Sequence, residues 1–180
     1  MPTLIGRCGG SGSGGPFELL SRTTLGGAGT FDVAVADQTG DDLLLVFDVG
    51  GTGGGTDSLC LRFNSDSGAN YGSIITSYDG TSITNPGAGG SGVNRALVSN
   101  ITAAGTNLFN AVQVVIFGYA SIGWFKTGTT QSYGSAGAGS PVAQNGGLTW
   151  FSTAAIASVQ AFGGAAANLH AGSVLRIYKR

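Results

Sequence analysis

The chain has 180 residues, enough for one domain with a real core and too few for two of full size. Charged residues make up 9% of it, against an ordinary share of about 25%. Glycine supplies 34 positions, far above its usual share of about 7%. Lysine occurs only at Lys126 and Lys179 and glutamate only at Glu18, so coiled coils and long amphipathic helices are excluded. No three-residue glycine period supports a collagen helix. With a net charge of −1 and no basic stripe, nucleic acid is not an expected partner. The composition that remains is an all-β domain rich in Gly, Ser, Thr and Asn turns. So sparse a charge suits a surface that is largely covered in an assembly. The one basic cluster, Arg176, Lys179 and Arg180, reads as a solvated strand end.

The two cysteines, Cys8 and Cys60, have no metal-binding spacing, and a reduced compartment is the default. The first residues lack the layout of a signal peptide, which predicts synthesis in the cytoplasm without a cleaved leader. Residues 111–125 are apolar but too short to span a bilayer, and Gln113, Gly118, Ser121 and Gly123 interrupt them, so no membrane is expected.

In chain order, residues 1–16 form a flexible Gly/Ser-rich arm. Leu4 and Ile5 within it, with Phe17 at its end, are candidate assembly contacts; a frayed terminus is the alternative. Residues 17–180 form the domain. Residues 42–49 read as a buried strand by composition and length. Residues 59–63 alternate, with Leu59, Leu61 and Phe63 on one face. Residues 74–78 read as a strand ending at the Asp79–Gly80 turn signal. Residues 96–101 form a weaker strand. Residues 111–117 are the strongest, being rich in β-branched side chains. Residues 122–126 are predicted to follow across a short turn. Residues 156–162 and 174–178 complete the set, although the alanines of 153–162 also permit a helix. Residues 50–57, 85–94 and 131–147 read as loops, where binding usually resides. Many short strands at regular spacing predict an antiparallel sandwich or jelly roll.

Candidate chemistry is sparse. Asp48, Gly50, Gly51 and Thr52 resemble the phosphate loop of actin-like ATPases, but that fold needs helical lobes this chain lacks, so a Gly-rich hairpin loop is the reading. His170 is the only histidine and reads as structural. Asp37, Asp41, Asp42, Asp48, Asp57, Asp66 and Asp79 fall mostly at strand ends and turns, where Asp caps the backbone. No catalytic, cofactor or metal residue is assigned. Trp124, Trp150 and Tyr133 are candidate glycan contacts if exposed, with burial in the core as the alternative for the tryptophans. Tyr133 falls in the predicted loop 131–147.

The run Leu61-Arg62-Phe63-Asn64-Ser65-Asp66-Ser67-Gly68-Ala69-Asn70-Tyr71 resembles an RFN-x-D-x-G-x-NY signature found in many bacteriophage virion proteins. The hydrophobic strand at 41–46 resembles the strand that precedes it in that family. Trp124-Phe125-Lys126, the run 149–159 and the closing 171–178 resemble later segments of the same family, in the same order. The terminal Lys179 and Arg180 depart from the usual glycine. The resemblance spans residues 17–178 and implies a jelly-roll β-sandwich on a phage particle, often trimeric, without catalysis. In the signature, Arg62, Asn64, Asp66, Asn70 and Tyr71 read as fold-determining. Arg62 points away from the core and is placed to pair with Asp66. Asn64, Asp66 and Asn70 cap the loop, and Tyr71 returns to the core.

The expected function is therefore structural: a virion protein, made in the host cytoplasm, that decorates the capsid. It would contact itself as a homotrimer and the major capsid protein. The alternative is a tail-tip or tail-fibre component that contacts tail proteins and a host surface glycan.

Overall fold

A computed structural model describes residues 16–52, 56–84, 92–102, 110–135, 141–164 and 168–180. Its strands are β1 (Glu18–Thr24), β2 (Phe31–Ala34), β3 (Asp42–Val49), β4 (Thr56–Phe63), β5 (Tyr71–Tyr78), β6 (Ile83–Thr84), β7 (Ala96–Thr102), β8 (Asn110–Phe117), β9 (Lys126–Ser135), β10 (Pro141–Trp150), β11 (Ser158–Gly163) and β12 (Val174–Lys179). They form two antiparallel sheets. The larger has the order β1-β12-β3-β8-β9-β10-β5-β6 and the smaller β2-β11-β4-β7. The fold is an all-β sandwich, and the chain changes sheet at most of its connections. The arm residues Leu4, Ile5 and Cys8, and most of the predicted loop 85–94, lie outside the described residues.

The strands with apolar alternation form the core. On β3, Leu43, Leu45, Phe47 and Val49 are fully buried while the residues between them are half-exposed. Val112, Val114 and Ile116 on the adjoining β8 face the same way. Opposite them pack Leu59, Leu61 and Phe63 of β4 and Val159 and Ala161 of β11. Period-two alternation with one face dry is what an antiparallel sheet in a sandwich requires.

Several expectations are corrected. Residues 122–126 are not a strand. Gly118 turns the chain with φ of 61°, the Ser121 N–H donates to the Gly118 carbonyl, and strand structure resumes only at Lys126. Residues 131–147 are not a loop: 131–135 complete β9 and 141–147 begin β10, and the two strands pair along their length. The helix permitted over 153–162 does not form, and β11 begins at Ser158. The basic C-terminus is not simply solvated. Arg176 pairs with Asp48 at 2.7 Å, Lys179 with Asp37 and with Glu18 at 3.4 Å, and Arg180 with Asp42.

The signature run forms a clasp where β4, in the small sheet, crosses to β5, in the large one. Asn64 and Ser65 adopt positive φ (54° and 55°), a region asparagine tolerates better than most residues. The Asn64 amide donates to the Ala155 carbonyl at 2.8 Å, and its oxygen accepts from the Ala157 and Ser158 N–H groups at 2.7 and 3.1 Å. It thereby ties this crossover to the one between β10 and β11. Asp66 accepts from Trp150 Nε1 at 2.8 Å, from Asn70 Nδ2 at 3.0 Å and from the Gly68 N–H at 2.8 Å. A Cβ on Gly68 would stand 2.8 Å from Asn70 Nδ2, so the turn has no room for one. The Tyr71 hydroxyl accepts from the Phe63 N–H at 2.9 Å and donates to the Asp66 carbonyl at 3.1 Å. Arg62 does not pair with Asp66, whose carboxylate is taken by these donors. Its Nε donates to the Asn94 carbonyl at 2.9 Å, and its guanidinium lies over the Phe162 ring.

Asn64→Ala removes three hydrogen bonds and leaves a β-carbon residue at positive φ. It should cost about 2–4 kcal/mol in urea unfolding. Burial works against ionised Asp66, but the Trp150, Asn70 and Gly68 donors prevail and hold its pKa below the usual range. At Asp37 the Lys179 ammonium and then Thr39 lower it to about 2. These carboxylates keep their charge more firmly folded than unfolded. Their contribution is therefore complete above about pH 4 and lost as the pH falls through the lower folded values. Thermal melts from pH 6 to 2 should show this loss, and Asp66→Asn with Asp37→Asn should flatten it.

Candidate functional site

Two surface regions, toward opposite ends of the large sheet, gather exposed side chains suited to contact. The first lies beside the clasp. In the connection from β8 to β9, Ile122 and Trp124 are 81% and 77% exposed. Phe125 is exposed as well, and its ring meets Phe151 edge-on at 5.8 Å. Phe117, at the end of β8, adds a further exposed ring.

Apolar side chains displayed in a loop need a rigid support to form a defined surface, and Lys126 supplies it. The first residue of β9 is completely buried, and its ammonium donates to the Trp124 carbonyl at 2.8 Å and the Thr153 carbonyl at 3.4 Å. Burial pushes its pKa down. A long cationic side chain here reaches across the end of the sheet and fixes the aromatic connection to the β10–β11 crossover. Tyr119 adds a second tie: it is buried, its hydroxyl donates to the Asp37 carbonyl at 2.8 Å, and its own carbonyl accepts from the Ile156 N–H at 2.8 Å.

β1 starts at the same end, with Glu18 paired to Lys179, so the chain preceding it joins the domain there. Phe17 is half-buried under the Arg180 guanidinium, 5.0 Å from the ring centre, so this predicted arm contact belongs to the domain edge.

The second region is the outer face of the large sheet toward its other end. The register places Tyr133 of β9 between Ala111 of β8 and Ala143 of β10, and Ala143 next to Tyr78 of β5. Two residues along, Gln113, Gln131 and Asn145 stand side by side on the same three strands. They line a groove of about 380 Å³ with Tyr133, Ala111 and Ala143. Tyr133 is 63% exposed, and it sits on a strand rather than in the predicted loop. Behind this face Gln144 is buried. Its Oε1 accepts from the Asn100 N–H at 2.8 Å and from Ser99 and Ser132 at 3.1 and 3.3 Å, which ties β7 of the small sheet beneath β9 and β10.

The other sequence candidates fall elsewhere. Trp150 is 2% exposed and stacks with Tyr71 at 6.4 Å, so it supports the clasp and is withdrawn as a glycan contact. Asp48, of the phosphate-loop-like motif, is spent on Arg176, while the Gly50 carbonyl accepts from the His170 N–H at 2.7 Å and the Thr52 hydroxyl donates to the Asn168 carbonyl at 3.2 Å. His170 Nδ1 stands 2.6 Å from the Ala171 carbonyl oxygen. Cys60 is buried, and that burial pushes its thiol up to about 11. Among the described residues no group of three or more His, Cys, Asp or Glu side chains is placed to hold a metal. The amide row of Gln113, Gln131 and Asn145 was missed by sequence reasoning. The β-branched threonines Thr127, Thr129 and Thr130 ahead of Gln131 were its only signal.

No family model, no curated protein and no solved structure matches this chain.

Lys126→Ala should cost about 2–4 kcal/mol, from the lost stem packing and two unmet carbonyls. It should also free the Trp124 connection, read as faster hydrogen exchange over residues 119–125 than elsewhere in the sheet.

Proposed function

We propose that this chain is a non-enzymatic structural protein of a bacteriophage virion, a jelly-roll domain that decorates the capsid. The observation that carries the reading is the apolar end of the sandwich. Ile122, Trp124, Phe125 and Phe151 stand exposed on a support fixed by buried Lys126. The chain that precedes β1 joins the domain at that same end. Exposed apolar clusters of this kind mark contact surfaces, and a chain with 9% charged residues opposes burial of its surface only weakly. A particle lattice, or a second and third copy of the chain, is the partner that such an end fits.

The signature run supports the family assignment, since its residues form the clasp between the two sheets. A jelly-roll winding is supported by a chain that changes sheet at most of its connections. The homotrimer rests on the resemblance and on the apolar, charge-poor end. A tail-tip or tail-fibre role is the second reading, favoured by the exposed Tyr133 on the far face.

Cryo-EM difference maps of virions with and without this chain test the proposal. Density in many copies over the shell is the expected result; a few copies at the tail would favour the second reading, and absence from virions would overturn both. Trp124→Ser with Phe125→Ser, and separately deletion of residues 1–16, should leave the melting temperature within a few degrees of the parent and reduce incorporation at least tenfold.

A further inference from the structure

Two groups of exposed side chains on the large sheet have an evident use. Arg176 and Asp48 neutralise each other, and the aromatic end is a candidate docking surface. The groove at Tyr133 has no such use. Its base is made of small residues, Ala111 and Ala143, on either side of Tyr133. Neighbouring strands lie about 4.8 Å apart, so the row from Tyr133 over Ala143 leaves about 10 Å before Tyr78, whose hydroxyl donates to the Gly80 carbonyl outside the groove. A pyranose ring fits a gap of that width with a face against a tyrosine.

The next row supplies Gln113, Gln131 and Asn145, all exposed. Among the described residues none of these three side-chain amides has a hydrogen-bond partner within the protein. Each offers two donors and a two-lone-pair acceptor, the complement of vicinal hydroxyls. Among the described residues no Asp, Glu, Lys, Arg or His lines the groove. An anionic ligand would find no counter-charge there, and a purely apolar one would leave three amides desolvated and unpaired.

We propose that this groove binds an uncharged oligosaccharide, with Tyr133 stacking on a sugar ring and Gln113, Gln131 and Asn145 hydrogen-bonding its hydroxyls. The site lies about 25 Å along β9 from the aromatic end. A copy seated on a particle by that end would leave the groove free. The inference does not depend on the virion reading, because it concerns the isolated chain.

The test is titration of the purified full chain with neutral gluco-, galacto- and N-acetylglucosamine-based oligosaccharides, and with sialylated and sulfated ones as the charged arm. The readouts are calorimetry and amide chemical shifts. The expected result is saturable binding of a neutral sugar with a dissociation constant of about 0.1–1 mM, as an open groove allows. Shifts should be confined to β8, β9 and β10. Tyr133→Ala should weaken binding about tenfold or more and Gln131→Ala about threefold. Both variants should keep the parent's melting temperature and elution volume. No binding to any neutral sugar at about ten times that concentration would overturn the proposal. So would a preference for the charged arm, or binding that survives Tyr133→Ala and is lost with Trp124→Ser.

Discussion

The sandwich depends on the hydrogen bond from Trp150 Nε1 to Asp66, and on the donors that share that carboxylate. Two sheets held only by apolar packing can slide, because burial has no direction. The clasp supplies direction. Asp66 lies in the turn leaving the small sheet, and Trp150 ends a strand of the large one. Beside it the rings of Phe63, Tyr71 and Trp150 cluster with centres 5.6 to 6.4 Å apart, so the half-buried bond is backed on its inner side by an aromatic wall. Asn64 adds the second crossover, and the Phe151 N–H donates to the Asn70 carbonyl at 2.7 Å. Two chain crossings are thus fastened together by side chains from one short run.

The same fastening explains the display of aromatic residues beside it. Once Trp150 is fixed, Phe151 must emerge at the rim, and the Trp150–Lys126 pairing brings Phe125 next to it. Lys126 then anchors the connection from below. Rigidity at this end follows from hydrogen bonds, with the Lys126 ammonium and the Asp66 carboxylate as charged members of the set. The cations Arg176, Lys179 and Arg180 are instead spent on Asp48, Asp37 and Asp42, on β3 and on the connection that leads into it. Exposed pairs of this kind contribute little stability each, but they leave the surface nearly neutral.

Glycine plays a different part from the one its abundance suggests. Gly128, Gly134 and Gly146 lie inside β9 and β10. A Cβ at Gly146 would stand 2.3 Å from the Ile74 carbonyl, and one at Gly134 would overlap the Asn110 amide. These positions are small because neighbours press against them.

The sequence by itself determined the all-β class and the strands β3, β4, β5, β7, β8, β11 and β12, because apolar and β-branched residues recur there in runs or with period two. It also marked the signature residues, through the resemblance carried by residues 61–71 and the capacity of Asn and Asp side chains to cap a turn. It misjudged β9 and β10, whose Thr, Ser, Gln and Gly content reads as loop. Only the ladders that β8 and β5 offer on either side make strands of them. It also took residues 122–126 for a strand, because exposed and buried aromatic residues look alike in a list. Which tryptophan is buried was decided by tertiary structure: Trp150 has Asp66 to receive its N–H, and Trp124 has only the rim. The groove is likewise a tertiary fact. Gln113, Gln131 and Asn145 are distant in the chain and become neighbours only through strand register.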